Sequence, residues 1–491
     1  MIKLKKKSYF LVVSFIFSVN IFIKLYLSST NSLWQDDSWV ALVIFANKFS
    51  DFQLSSGHHP GFSLIYRLLN YLFGFNELIF QLPSIVFSSI AVCIFFLVMK
   101  ELNISNYFVF FGITLVTLSP TLILVSTRVK PYAFESFVGT LYLLFIVSNS
   151  LHKNKKTIFL ISIISLIFSF YTIYVIASYY FIQVFFTKDK NDLTWALLIA
   201  IFSILWFRFY IRFLPLLNSS NIHPHVYIDW TFLEIIKGVF DGFITFSKAS
   251  LPALYLLRWT NLNFEIFSYE FSYYLYSLFW ILFFTAYIKY FHYYKKLSFY
   301  FLLPLVLTIL LTLFKYAVWG EGTAEEYRML SSLIPCLILL VIKYIELVIN
   351  NLKFSKVFKN TFITILALSA IFYFINFKNY FFYPQQDYRS AISFIQKDNS
   401  NFIIRASDGT SPGASLYIGE EISFGPGLNF SSQTVKSEII NLSKTDLSKV
   451  NVIYSMYIEN ERDFSNLGFQ NVNLVHPNFG NLILGKWEKT K

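Results

Sequence analysis

Charge and cysteine are scarce in this chain, and each scarcity removes a class of protein. Only 14% of the 491 residues are charged against 56% hydrophobic. A mean hydropathy of +0.55 leaves more apolar surface than a soluble fold of this length can bury. A bilayer must supply the missing apolar solvent. The two cysteines, Cys93 and Cys336, both sit inside apolar runs, so neither a disulfide framework nor a thiolate metal site is supported. No P-loop, dinucleotide-type GxGxxG or HExxH motif occurs, which disfavours a nucleotide-dependent cytosolic enzyme. No internal repeat is visible either.

The formal charge of +12 would point to nucleic acid if the lysines and arginines formed one stripe, but they lie as short clusters between apolar runs. That is the pattern of cytoplasmic membrane loops, and no nucleic-acid partner is expected. The first apolar run, 9–27, follows Lys3, Lys5, Lys6 and Lys7. It is too long for a signal-peptide core and is followed by Ser28, Ser29, Thr30, Asn31 and Ser32 without a small-x-small cleavage site. It is therefore taken as the first span.

Stretches able to cross about 30 Å of hydrocarbon lie near 9–27, 78–99, 106–125, 132–150, 157–172, 174–187, 194–213, 272–291, 298–316, 329–349 and 361–377. The expected fold is an α-helical polytopic membrane protein of about 11 transmembrane helices. With the N-terminus cytoplasmic, Lys100, Lys153, Lys155, Lys156, Lys188, Lys190, Lys295, Lys296, Lys353, Lys356 and Lys359 all fall on the cytoplasmic side. The segments 28–77, 126–131, 214–271, 317–328 and everything after Phe377 then lie outside. Residues 61–73 are apolar but short and carry Arg67, which reads as a helix lying in the membrane interface. From Lys378 the composition turns polar, with Gly and Pro turns, β-like runs at 402–405, 415–418, 452–454 and 481–484, and helical patterns at 388–396 and 434–442. The organisation is a transmembrane domain over 1–377, with its first outer loop at 28–77, and a small α/β extracytoplasmic domain over 378–491.

Four outer segments carry groups suited to chemistry. Trp34-Gln35-Asp36-Asp37-Ser38-Trp39 places two adjacent carboxylates just beyond the first span, between indoles that favour the interface. Transfer from a sugar phosphate to a hydroxyl needs a base near the acceptor oxygen, and such a carboxylate can meet a lipid-borne donor; a solvated loop with N-capping Asp residues fits the same segment. Ser56-Gly57-His58-His59-Pro60-Gly61 offers a His pair able to bind metal or donate to a phosphate, or a turn with one structural His. Ser126-Thr127-Arg128-Val129-Lys130-Pro131-Tyr132 sets two cations against the positive-inside trend, either as boundary anchors or to neutralise a departing phosphate. Finally, Arg328 ends Glu321–Arg328, where it can hold an anionic partner or pair with Glu325 or Glu326.

Taken in order, these segments resemble the GT-C membrane glycosyltransferases, specifically the bacterial relatives of protein O-mannosyltransferases and lipid A aminoarabinose transferases. The counterparts of the family's acidic pair, H-P-P, G-x-x-E and L-P-S elements are Asp36-Asp37, His59-Pro60-Gly61, Gly74-Phe75-Asn76-Glu77 and Leu82-Pro83-Ser84. Later counterparts are Ser119-Pro120, Ser126 with Lys130 and Tyr132, Tyr171-Thr172, Arg328 with Pro335, and Asp387-Tyr388-Arg389. Gly61 stands for the second Pro of H-P-P, Lys130 for an Arg, Ile173 for a His and Met329 for a Tyr.

The resemblance implies an inverting transfer of sugar from a polyprenyl-phosphate donor to a glycan, lipid or protein acceptor, outside a bacterial inner membrane. In that scheme Asp36 is the general base and Asp37 orients it or contacts substrate. Arg128, Lys130, Tyr132 and Arg328 hold the donor phosphate, and His58, His59 and Glu77 line the substrate site. No cofactor is required, although a divalent cation near Asp36 and His59 is compatible with it. A transporter or flippase of lipid-linked sugars is the rival from another class; it would place ionisable groups at mid-membrane and show repeats or broken helices. An O-antigen-polymerase-like enzyme is a further alternative, which does not predict an acidic pair directly after the first span.

Overall fold

A computed structural model describes residues 6–30, 33, 37, 40–41, 60–148, 154–187, 190–211, 232–251, 269–313, 330–351, 357, 360–361, 363–365, 367–368, 371, 387–397, 402–406, 414, 417, 428–431, 449–457, 464–472 and 483–490. They are mostly helical. The helices are α1 (Lys6–Thr30), α2 (Pro60–Phe73), α3 (Glu77–Glu101), α4 (Asn106–Thr117), α5 (Pro120–Ser126), α6 (Tyr132–Val147) and α7 (Lys155–Phe168). They continue with α8 (Ile173–Thr187), α9 (Lys190–Ile211), α10 (Phe232–Ser250), α11 (Tyr269–Tyr290), α12 (Lys295–Leu313), α13 (Ile334–Asn351) and α14 (Tyr388–Ile395).

Five segments among the described residues are long and apolar enough to cross a membrane: Leu11–Ser29, Glu77–Glu101, Phe170–Thr187, Asn191–Arg208 and Ile334–Asn351. A sixth arises if α4 and α5, bent by 54°, form one span. The bend has a local cause. Pro120 has no N–H to continue the helical ladder and forces Ser119 to an extended ψ of 125°. Two further expected spans are shorter helices, α6 with 16 residues and α7 with 14, while 361–377 lies largely outside the described residues. On α9, Leu197, Ile201, Ile204 and Leu205 form one exposed stripe, a surface that calls for an apolar solvent.

Contacts divide the chain into two units. The first comprises Met1–Lys24, Pro83–Thr127 and Pro131–Lys378, and the second Leu25–Leu82, Arg128–Lys130 and Asn379–Lys491. Within the first, polar contacts gather several connections at one end of the helices. Lys155, at the start of α7, pairs with Asp192 of α9 at 2.7 Å, and the Thr187 hydroxyl at the end of α8 donates to the same carboxylate. On α13, Lys343 donates to the Leu102 carbonyl at 3.2 Å and Glu346 accepts from the Ser105 N–H at 3.1 Å. Asn351 donates to the Tyr290 hydroxyl at 2.8 Å, and Phe186, near the end of α8, packs on Phe299 of α12. The connections after α3, α6, α8, α11 and α13 thus share an end, and these are the lysine-bearing ones.

In the second unit, α2 buries Phe62 and Tyr66, one turn apart, with Tyr66 stacked on Phe80 at 5.6 Å. Its other face exposes Leu64, Leu68, Tyr71 and Leu72. The helix expected over 61–73 is present. Gly74 ends it with φ +70°, a left-handed geometry that Gly adopts without a Cβ penalty. Asn76 then caps α3, its side chain accepting from the Ile79 N–H at 3.3 Å.

The C-terminal strands are β1 (Phe402–Ala406), β2 (Leu428–Ser431), β3 (Val452–Tyr457), β4 (Phe469–Val472) and β5 (Ile483–Lys489), in the order β2-β1-β3-β5-β4. Among the described residues, β1 and β3 are the one parallel pair. Alternation along the strands explains the layering. Phe402, Ile404, Val452, Tyr454 and Met456 face α14, which contributes Tyr388, Ala391, Ile392 and Ile395 at helical spacing. Ile403 and Ile453 point the other way, into a second cluster with Phe464, Phe469 and Trp487. Of the strand expected at 415–418 only Tyr417 is among the described residues, and it is helical, as is Ala414. Both join the α14 cluster.

Gly139 of α6 lies so close to Ser332 that an added Cβ would strike the Ser332 backbone carbonyl, whereas one at Gly112 would meet only the side-chain ends of Ile342 and Met99. Backbone cannot yield as a side chain can. Gly139→Ala is expected to cost about 1–3 kcal/mol and to lower the thermal transition of the detergent-solubilised protein clearly more than Gly112→Ala.

Candidate functional site

The acidic segment after the first span is anchored through Asp37. Its carboxylate is 2% exposed and meets the Arg128 Nε at 3.1 Å, itself 4% exposed. The other carboxylate oxygen accepts the Val129 N–H at 3.1 Å. A buried charge is tolerated only when paired and hydrogen-bonded, and here cation and amide come from one three-residue segment, Arg128–Lys130. Two of the segments singled out in the sequence, ninety residues apart, therefore meet in the second unit. Lys130, two positions beyond Arg128, is half-buried.

Glu77 forms a second node. Placed in the first turn of α3, where the helix dipole favours an anion, it receives the Arg389 Nε at 3.2 Å, while a terminal guanidinium nitrogen, Nη2, contacts its second oxygen. The Tyr417 hydroxyl donates to the same carboxylate and accepts the Leu33 N–H at 3.0 Å. Asp387 caps α14 by accepting from the Ser390 N–H at 3.0 Å, which starts the helix so that Tyr388 turns inward and Arg389 outward. The Gly74–Glu77 and Asp387–Arg389 elements are thus joined by an ion pair. As placed, Glu77 serves as a tie between chain segments.

In the first unit, Tyr132 is buried and its carbonyl accepts the Ser331 hydroxyl at 2.9 Å. One turn along α6, Glu135 is buried and accepts the Ser169 hydroxyl at 2.6 Å. Ser169 ends α7, and its carbonyl accepts the hydroxyl of the motif residue Thr172 at 2.7 Å. Sequence reasoning passed over Glu135 because a lone carboxylate at a helix start reads as a cap. It also passed over Lys24, buried in α1 with its ammonium 3.5 Å from the Ser89 hydroxyl; a lysine inside an apolar run was the available signal. Tyr417 had no signal beyond its place in a polar segment.

Asp36, His58, His59 and Arg328 lie outside the described residues. Gly409-Thr410-Ser411-Pro412-Gly413 has GxSxG spacing between β1 and Ala414 and lies outside them as well. Among the described residues no three His, Cys, Asp or Glu side chains gather as metal ligands. No protein-family model matches the chain, and no curated protein matches it significantly.

Arg128→Ala would leave Asp37 a buried charge without its cation. It is expected to cost about 3–5 kcal/mol, read as a lowered thermal transition, with a good part of the loss recovered in Asp37→Asn/Arg128→Gln. A double variant no more stable than Arg128→Ala would assign the loss to something other than the pair.

Proposed function

We propose that this chain is an integral membrane glycosyltransferase of GT-C architecture, with about 11 spans, acting outside a bacterial inner membrane. It moves a sugar from a polyprenyl-phosphate donor to a glycan, lipid or protein acceptor. The observation that carries the proposal is the clamp of Asp37 by Arg128 and Val129, since it joins the acidic segment to the basic one. The gathering of lysine-bearing connections at one end of the helices supports the topology, because a common end for them leaves the other for the acidic and phosphate-binding segments.

The clamp also divides the labour between the two carboxylates. Both oxygens of Asp37 already serve a guanidinium and an amide, so Asp37 is a positioning group. Asp36 takes the acceptor proton. The acceptor oxygen attacks the anomeric carbon from the face opposite the phosphate, and the new C–O bond forms as the bond to the phosphate oxygen breaks. The electron pair leaves with polyprenyl phosphate, and configuration inverts. Phosphate departs as an anion and needs charge neutralisation more than protonation. Lys130 and Arg328 supply it, with Tyr132 two positions beyond Lys130 in sequence; Arg128 contributes through Asp37.

Transfer of labelled sugar from native polyprenyl-phosphate donors is the test, in membranes holding wild type, Asp36→Asn or Asp37→Asn at equal expression. Asp36→Asn is expected to lose about 10²–10⁴-fold, and Asp37→Asn less. Equal activity in all three removes Asp36 as base, and no transfer by wild type from any such donor removes the enzyme class. Lys24 is the observation that favours a transporter, since a buried intramembrane cation is typical of a translocation path. That reading predicts vesicle uptake of a lipid-linked sugar that Lys24→Met abolishes.

A further inference from the structure

We infer that Tyr417, in the C-terminal segment, is a positioning residue for the catalytic stretch: its hydroxyl ties the backbone of Leu33 to the carboxylate of Glu77 and thereby sets the course of the chain into Asp36. This rests on the assignment of Asp36 as base.

The direction of both hydrogen bonds is forced. The Leu33 amide can only donate, and Glu77, charged and paired with Arg389, can only accept. The single Tyr417 proton therefore goes to Glu77 and a hydroxyl lone pair to Leu33. The ring is held as firmly as the hydroxyl. Phe75 meets it edge-on at 6.1 Å and 87°, and Tyr388 stacks on it at 6.2 Å and 13°. Its partners come from three stretches: Leu33 from the segment after α1, Phe75 and Glu77 from the α2–α3 connection and the start of α3, and Tyr388 from α14.

Four residues downstream of that tie begins the other. Leu33 is fully buried and held by Tyr417, and Asp37 is held by Arg128 and Val129. In sequence Asp36 lies between these two held residues, next to Asp37. The Asp37 clamp fixes one end, and the Tyr417 bond fixes the other. Pre-ordering of this kind raises turnover by keeping the base at attack distance, and it makes the C-terminal segment a working part of the active site.

The test uses the purified full-length protein and Tyr417→Phe, which keeps the ring and removes the hydroxyl. Hydrogen exchange at 28–41 is expected to quicken at least tenfold, with peptides from α6 and α13 unchanged. In the transfer assay kcat should fall about tenfold while donor KM stays within twofold, a split that simple loss of folded protein would not give. If Tyr417→Phe does not fold, Glu77→Leu removes the acceptor and Glu77→Gln restores one, so 28–41 should be exposed in the first and protected in the second. Unchanged exchange at 28–41 in Tyr417→Phe, or equal exposure in the two Glu77 variants, overturns the tie. Faster local exchange with wild-type kcat overturns its positioning role. A wild type without transfer activity defeats the enzyme reading and the catalytic half of this inference, while the exchange data still decide the tie.

Discussion

A charge that leaves water must find its counter-charge, and in a chain with so few charges each pairing decides where a segment can go. Removing one member of a buried pair costs several times what an exposed pair contributes. Asp37 and Arg128 are both almost fully buried, so the segment after the first apolar helix and the segment before α6 have only one permitted juxtaposition. Lys343 and Glu346 act likewise: each spends part of its hydrogen-bonding capacity on the other and part on the 102–105 backbone. The half-exposed Arg389 contributes less energy at Glu77 and more direction.

Where helices face an apolar solvent, burial of apolar area no longer distinguishes right from wrong packing, and hydroxyls and close backbone approach take over. Tyr142 and Tyr180 share the Ser162 hydroxyl, at 2.6 and 3.3 Å. Tyr300 donates to the Gly139 carbonyl at 2.8 Å, next to the place where the absence of a Cβ lets α6 touch Ser332. A glycine, a serine and tyrosines thus settle a register that leucines would leave loose.

The helices were legible because their period and length are local properties. The amphipathic 61–73 stretch and the 388–396 pattern became α2 and α14, and among the described residues five of the apolar runs, or six with the bent α4–α5 pair, became helices of a span's length. The short strands β2 and β4 were missed, since four residues with mixed polarity carry little alternation. At Tyr417, the one described residue of the run expected at 415–418, the helical state was not legible because an aromatic residue suits either state until packing against α14 decides. At the site, the acidic and basic segments were each visible, but their pairing was not. Sequence holds no distance between positions 37 and 128, and a carboxylate that binds substrate looks the same there as one that holds an arginine. Glu77 shows the same ambiguity, drawn from motif order as a substrate group and placed as a tie.

The Leu33–Tyr417 bond joins residues 384 positions apart, which gives the protein a history as well as a shape. At about 5–20 residues per second, Leu33 leaves the ribosome roughly 20–80 s before its partner. During that interval the membrane helices can insert and pack, while the stretch that ends at Asp37 still lacks its upstream tie. A nascent chain that has not yet reached Tyr417 therefore lacks this tie, and a residue of the C-terminal segment completes what the stretch before Asp37 began.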